Sequence, residues 1–529
     1  MTPPKLTAGQ GKIHAKYGDV FLVVTPTGLT IEVADASLAI ELPDCEKPSW
    51  PYRLPDICGA NVVSVGDIFP GSYSLAEQFY QATGDMWRRH RKAVYPGFSD
   101  KTYKQAWVHS LRFAQQLPRE ATDKENPGIR SIGPRLDSLV LRVLLAVSCG
   151  VSVDEGHESG DGTSSRTSKS PGLVADLTQL MDNAAVFIIP RLCLKYGPRT
   201  WRRLHAALKN TKEFLKRTIE TQKKGLKESR KEQVCSQTLL NTFLDRSMGL
   251  ESKDDLANGD QATLRPASVS DEEVVGNTFI LFFAGVGTLS ETLKFSFVLL
   301  AMHPEIQDWV IEDIAQALAD QPTDPSEWKF GLVFPRLIAP FCVMLETLRQ
   351  YPPTMSVTKW TGDKSRAIKV ADKSYVLPTQ ATVQLSLSAL HYHPKHWGSN
   401  PKEFRPQNWD PRCICRWETG SSAPEGDGGL TDFGASDASP KGPRIPVKGS
   451  FLPFSEKARR CIGRRLAEVE FVAIMAVVLR DHRVELVVDG TESWGTVKAE
   501  VQDLLDRSLL APTIKCAASI PIRFIKRQD

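Results

Sequence analysis

The chain lacks the features that mark several common protein classes. Ten cysteines in 529 residues, none in a C-x-x-C pair, are too few and too scattered for a disulfide scaffold. They suit a reducing compartment, and the lone C-x-C at Cys413 and Cys415 reads as two unpaired thiols in a polar loop. Neither sign of charge dominates: 66 Lys+Arg against 62 Asp+Glu leaves a net +4, which removes any general case for nucleic-acid binding. No G-x-G-x-x-G follows a strand-like run and no P-loop occurs, so no dinucleotide or triphosphate cradle is recognisable. Internal repeats are absent. The opening MTPPKLTAGQGKIHAKYGDV has no apolar run, so 1–16 reads as a short leader without signal peptide or membrane anchor. The longest apolar stretch, 274–302, contains Glu291 and Lys294 and a cluster of small or polar residues, Ala284, Gly285, Gly287, Thr288 and Ser290. That composition predicts a buried core helix rather than a membrane span.

What is present is ordinary globular material, 41% hydrophobic and 24% charged. The length would accommodate about three or four average domains, but no linker separates them, and 17–529 reads as one domain. Residues 17–42 alternate and are rich in Val, Ile and Thr around a Pro-Thr-Gly turn, which predicts a β-hairpin followed by a helix start. From about 74 to 350 apolar residues recur at helical spacing. Polar stretches at 154–170, 249–268 and 412–449 read as exposed loops. Short β-prone pieces fill 354–390, a last helix spans about 462–481, and 497–525 reads as strands and turns. The fold class is mainly α with small β-sheets (α+β).

The segment from Phe454 to Gly463, FSEKARRCIG, carries the chemistry. Cys461 stands just before a strongly predicted helix, where free N–H groups and the positive end of the helix dipole favour thiolate. Arg459, Arg460, Arg464 and Arg465 surround it. A stabilised thiolate is a nucleophile or a metal ligand. A nucleophile needs a base, and only arginines are near. A soft ligand to haem iron fits better, with arginines left to neutralise the haem propionates.

This segment resembles the cysteine loop of the cytochromes P450, which reads Phe, two residues, Gly, one residue, Arg, one residue, Cys, one residue, Gly. Phe454, Arg459, Cys461 and Gly463 match in register, and Lys457 stands in the glycine position. The resemblance makes Cys461 the axial ligand and Arg459 a propionate partner. Glu346 and Arg349 in ETLRQYPP match the family's E-x-x-R pair, structural rather than catalytic. In FRPQNW, Asn408 replaces the arginine that completes that pair into a triad, so Arg349 is expected to need another partner. Trp87 and Arg91 match a W-x-x-x-R helix that sends both side chains to a propionate, and Lys359 stands where the family often has a propionate-binding arginine. The run 284–289, AGVGTL, resembles the oxygen-activating helix. Thr288 is then the hydroxyl that helps deliver protons, and a local break in the helix is expected there. Gly287 replaces the motif's acid. Glu291, one turn on, is either a substitute proton relay or a structural contact.

The resemblance implies haem b (iron protoporphyrin IX) and a monooxygenase that inserts one oxygen atom from O2 into a lipophilic small molecule. A fungal terpenoid or other secondary metabolite is the favoured substrate class. Candidate pocket residues are Phe69, Phe282, Phe283, Ala284, Thr354 and Val357. With no nucleotide motif in the chain, electrons are expected from a separate NADPH-cytochrome P450 reductase, with cytochrome b5 as a further partner. Arg88, Arg89, Lys92, Lys457, Arg460 and Arg464 are expected to form its docking patch. By the same resemblance the protein sits at the cytosolic face of the endoplasmic reticulum membrane. A haem-thiolate isomerase, dehydratase or peroxide-dependent enzyme is the alternative that Gly287 suggests.

Overall fold

The alternation at the N-terminus becomes a hairpin, with β1 (Val20–Thr25) antiparallel to β2 (Gly28–Val33). Helix α1 (Ala36–Glu41) follows at once, because Asp35 caps it by accepting the Leu38 N–H at 2.8 Å. The computed structural model describes residues 11–25, 28–42, 84–120, 132–151, 171–183, 189, 191–232, 238–247, 269–361, 365–370, 373–379, 381–413, 447–487, 493–511, 513–515 and 520–528. Phe69 and the polar stretches 154–170, 249–268 and 414–446 lie outside them.

The main helices are α2 (Gly84–Val94), α3 (Asp100–Ala114), α4 (Gly133–Cys149), α5 (Pro171–Asp182), α6 (Arg199–Glu232) and α7 (Leu239–Ser247). They continue with α8 (Asp271–Met302), α9 (Pro304–Leu318) and α10 (Ile338–Gln350). Strands β3 (Ser356–Trp360), β4 (Arg366–Val370), β5 (Lys373–Leu377) and β6 (Thr382–Ser386) fill the β-prone stretch. The chain ends with α11 (Arg464–Asp481), β7 (His482–Leu486), α12 (Trp494–Asp506), β8 (Leu509–Ala511), β9 (Thr513–Lys515) and β10 (Ile522–Lys526). The tail expected as strands and turns thus begins with a helix. Ser493 caps it by accepting the Thr496 N–H, and Val497, Val501 and Leu505 at four-residue spacing supply its buried face.

Two compact units emerge, one made of Met1–Cys45, Ser110–Leu136 and Thr288–Asp529, the other of Glu46–His109 and Asp137–Gly287. In the first, β1-β2-β6-β3 form a mixed sheet, with β2 parallel to β6 at the register Ile31↔Val383. Ile31, Val33, Val383 and Leu385 alternate into a core shared with Leu38 of α1 and Leu452. Every residue of α10 is buried. So is nearly all of α11 from Leu466 to Leu479, where a fully buried Phe471 contributes about 2 kcal/mol of hydrophobic stabilisation.

In the second unit, Lys212 and Lys216 of α6 pair with Glu272 at 3.0 and 2.5 Å, and Lys223 pairs with Asp271. Both acids belong to the first turn of α8, where negative charge suits the helix dipole. Helix α8 is long and apolar enough to cross a membrane, with a mean hydropathy of 1.4 over its best window. Phe279, Phe282, Phe295 and Phe297 are nevertheless 0–2% exposed, as expected of a core helix.

Candidate active site

Cys461 shares its exposure with Cys193, but its position just before α11 separates it from the other described cysteines. Cys149 and Cys342 are fully buried, and burial pushes both thiols up, Cys149 to about 12. Neither is a thiolate at neutral pH. Cys461 is exposed. Its N–H donates to Phe454 O at 2.8 Å and Ser455 N–H donates to Leu452 O at 3.0 Å, which folds 452–461 into a tight loop. Gly463, which has no side chain to cap with, is the N-cap of α11, so Cys461 stands two residues before the helix end whose N–H groups and dipole favour negative charge.

The loop contains two non-glycine residues in left-handed backbone, Ser455 at φ 57° and Lys457 at φ 62°. The position that resembles a family glycine therefore does require the conformation glycine adopts freely. Lysine occupies it and is held there, because its Nζ donates to Glu41 O at 3.2 Å and Leu42 O at 2.9 Å. Lys359, buried on β3, donates to the same Leu42 O at 2.9 Å. Two ammonium groups thus meet the carbonyl end of α1.

The surrounding arginines divide. Arg464 Nε and Arg465 Nη1 pair with Glu468 at 2.9 and 3.3 Å, and the Arg464 guanidinium also lies 5.8 Å from the Phe454 ring centroid. These two are committed to a buried carboxylate one turn on, contrary to the expectation that they remain available for propionates. Arg459 is half-buried and Arg460 exposed. Of the cations expected to form one docking patch, Arg88 pairs with Asp85 and Arg89 with Glu273, while Lys457 and Arg464 are engaged as described.

Glu346 and Arg349 are both 0% exposed and form the expected pair, through Arg349 Nε to Oε2 and Nη2 to Oε1, each at 2.8 Å. Burial alone would lower the Arg349 pKa, but the adjacent carboxylate more than offsets it and the net direction is up. The expected further partners are carbonyls: Arg349 donates to His391 O at 3.0 Å, Pro401 O at 2.7 Å and Glu403 O at 3.3 Å. Asn408 is buried beside this network, while Trp409 Nε1 and the Arg405 backbone N–H bond Glu346 at 2.9 Å each.

Sequence reasoning missed His391. It is 0% exposed, and its Nε2 accepts the Leu452 N–H at 3.1 Å, so the imidazole holds the entry of the cysteine loop. Burial, with Arg349 nearby, pushes its pKa down to about 3 and keeps it neutral. The HYHP spacing alone gave no signal for this role.

Helix α8 runs unbroken from Asp271 to Met302, so the expected break at 284–288 is absent. The Thr292 hydroxyl donates to Thr288 O at 2.8 Å and helps satisfy that carbonyl within a regular helix. Phe283, Ala284, Gly287 and Thr288 retain accessible surface in a helix otherwise largely buried, whereas Phe282 is buried. Gly285 is a packing residue: a Cβ there would lie 2.7 Å from Leu144 Cδ1 of α4. Glu291 is 4% exposed and accepts Lys294 Nζ at 2.7 Å. Thr354 is exposed, and Val357 packs on the sheet core.

In the other unit, Trp87 and Arg91 do share a face of α2, with the guanidinium 5.6 Å from the Trp87 ring centroid. Beside them is a second unpredicted network. His90 Nε2 meets Glu273 Oε1 at 3.1 Å and its Nδ1 meets Asn277 Nδ2 at 3.1 Å, which ties α2 to the start of α8.

Comparison with known proteins decides what this cysteine loop belongs to. The family model for cytochrome P450 matches residues 69–493. The chain belongs to the cytochrome P450 family. A cytochrome P450 monooxygenase of the fungus Arthrobotrys oligospora is 24% identical, over 98% of this chain and 86% of the relative. One from Penicillium rubens is 24% identical over 97% and 82%. In fold, the P450 resembles a zebrafish P450 structure with abiraterone (TM-score 0.63, 16% identity, 99% and 100% covered). It also resembles a retinoic-acid-bound cyanobacterial P450 (TM-score 0.63, 14% identity, 98% and 93% covered). The protein is thus a P450 enzyme of the monooxygenase type, with haem as its cofactor. The residues present fit that group, since an accessible thiol at an uncapped helix start, flanked by cations, is the donor set a haem iron with propionates requires. P450 enzymes generally use a redox partner and a lipophilic substrate, and in eukaryotes many are membrane-bound.

Proposed function

We propose that residues 17–529 act as one monooxygenase domain that inserts an oxygen atom from O2 into a lipophilic small molecule. The favoured substrate is a terpenoid or related product of fungal secondary metabolism. Electrons come from NADPH through a separate P450 reductase, with cytochrome b5 as an accessory donor, at the cytosolic face of the endoplasmic reticulum membrane. The observation that carries the reading is the exposed Cys461 at the uncapped start of α11. Fungal relatives named as monooxygenases support the reaction type.

Haem, when bound, supplies the oxygen chemistry; the chain supplies binding, protons and shape. Cys461 is the thiolate ligand, with Phe454 and Gly463 shaping its loop. Arg459, Lys359, Trp87 and Arg91 are the propionate partners. Thr288 presents a hydroxyl from the accessible strip of α8 and would hold a proton for the oxygen chemistry that haem supplies. Glu291, whose carboxylate is already held by Lys294, hands protons on to Thr288. Phe283 and Ala284 offer apolar surface to the substrate, with Phe69, Phe282, Thr354 and Val357 as further contributors. Arg460 and Lys92, both exposed, are the cations best suited to steer an acidic reductase.

The test is the carbon monoxide difference spectrum of the dithionite-reduced protein beside Cys461→Ala. A thiolate-type red-shifted Soret band, lost in the variant, is expected; a blue-shifted band in the unaltered protein would overturn the reading. Thr288→Ala should then divert electrons into released hydrogen peroxide at the expense of product, and unchanged coupling would remove Thr288 from the proton path. Gly287 and the unbroken helix favour a second reading, a peroxide-using enzyme. Turnover with peroxide but not with O2 and reductase would select it.

A further inference from the structure

Among the described residues Glu346 accepts from the Arg349 guanidinium, the Gln350 amide, the Arg405 backbone N–H and, from a loop side chain, the Trp409 indole. Where the family's pattern brings a second arginine into this site from the loop, the chain has Asn408. The donor that bridges helix and loop comes instead from the helix. Gln350 is 3% exposed at the last position of α10. A side-chain amide nitrogen has two hydrogens, and both are used here: Gln350 Nε2 donates to Glu346 Oε1 at 3.2 Å and to Glu403 O at 2.9 Å.

We infer that Gln350 is the positioning residue that replaces the missing basic member of this network, tying the loop 401–409 to Glu346 from the helix side. The charge count supports a neutral substitute. Glu346 and Arg349 balance one for one at full burial, so the remaining acceptor capacity of the carboxylate is met by an amide, an indole and a backbone N–H rather than by a further cation. The consequence reaches the cysteine loop through shared contacts. Arg349 also holds His391 O, His391 holds Leu452 N–H, and Phe451 lies 4.7 Å from Trp409 and 5.1 Å from His391 by ring centroids. Losing the Gln350 bridge loosens the element against which the start of that loop is packed.

The experiment compares the full chain with Gln350→Leu, Asn408→Arg and the double variant, expressed with ample haem. It reads haem bound per chain and the fraction of reduced, CO-bound protein with the thiolate-type Soret band. Loss of a buried bond to a charged group predicts a drop of about fivefold or more in that fraction for Gln350→Leu. Asn408→Arg alone gains nothing, because it adds a cation to a balanced site. The double variant recovers at least half of what Gln350→Leu loses, since an arginine at 408 supplies the donor again. Mere destabilisation would be additive; recovery is the sign of a shared role. A thiolate fraction unchanged in Gln350→Leu, or a double variant no better than the product of the two single losses, overturns the inference. If Gln350→Leu yields no haem protein at all, the double variant decides: haem protein recovered supports the inference, none recovered overturns it. Absence of the thiolate band in the unaltered chain would instead strike the monooxygenase reading, which is a separate failure.

Discussion

Replacing Lys457 separates the two effects that meet at that residue. The first is conformational. A side chain held at φ 62° is destabilising relative to glycine by about 1–2 kcal/mol, less the ~0.5–1 kcal/mol that glycine loses through its freer unfolded chain. The second is the tether of Nζ to Glu41 O and Leu42 O. Charged hydrogen bonds contribute about 1.5–3 kcal/mol each when buried. The Lys457 residue is exposed, so about 1–2 kcal/mol for both together is the reasonable value. Lys457→Ala keeps the strain and loses the tether, for a net loss of about 1–2 kcal/mol. Lys457→Gly loses the tether but relieves the strain, which leaves it up to about 1 kcal/mol less stable than the lysine form. The order is therefore lysine, then glycine, then alanine, with the last two separated by about 1 kcal/mol, roughly a fivefold ratio in unfolded population. The assay is urea unfolding of the haem-loaded protein, followed by the Soret band and by tryptophan fluorescence. An alanine variant as stable as the glycine variant would refute the strain argument, and two variants equal to the parent would refute the tether.

The remaining predictions also concern what holds the cysteine loop. His391 must stay neutral to accept the Leu452 N–H, and its pKa in the fold, about 3, lies below the ordinary 6.5. The unfolded chain therefore binds a proton first as pH falls, so this contribution is complete above about pH 6.5 and is lost progressively toward pH 3. At ~1.36 kcal/mol per unit, the whole span is worth at most about 5 kcal/mol. His391→Gln, which keeps an acceptor that does not titrate, should flatten the fall in stability between pH 6.5 and 4 by about one proton; an unchanged slope would exclude His391 as its source. Gly449 has φ 88°, and a Cβ there would lie 2.1 Å from Ala36 O. Gly449→Ala should therefore reduce stability by about 3 kcal/mol or more, from backbone strain and overpacking together, and an unaltered melting profile would contradict that packing.

Where an inference depended on spacing within one element, the residues were enough. Glu346 and Arg349, three apart, and Trp87 and Arg91, four apart, had to share a helix face, and they do. The alternation at 20–33 specified a hairpin because turn and strands are neighbours in the chain. The same local logic, read less carefully, missed α12, whose Val497, Val501 and Leu505 repeat at four residues. It also expected a break in α8 that regular helix bonding fills.

The partners across long separations were not legible. Pairing of β2 with β6 joins strands some 350 residues apart; nothing in either strand's pattern names the other, since each merely offers one apolar face. Lys457 looked like a misfit in a glycine position until α1 brought two carbonyls to its ammonium. Asn408 looked like a lost partner until Gln350, Trp409 and the Arg405 N–H were seen to converge on Glu346. By itself the sequence determined most of the helices, the hairpin and the family, and it singled out Cys461 as the expected ligand, because periodicity and motif spacing are properties of the local chain. Only the tertiary structure decided which groups meet Lys457 and Glu346, because a buried charge or a strained turn is satisfied by whichever groups the fold carries within hydrogen-bond reach, whatever their distance in sequence.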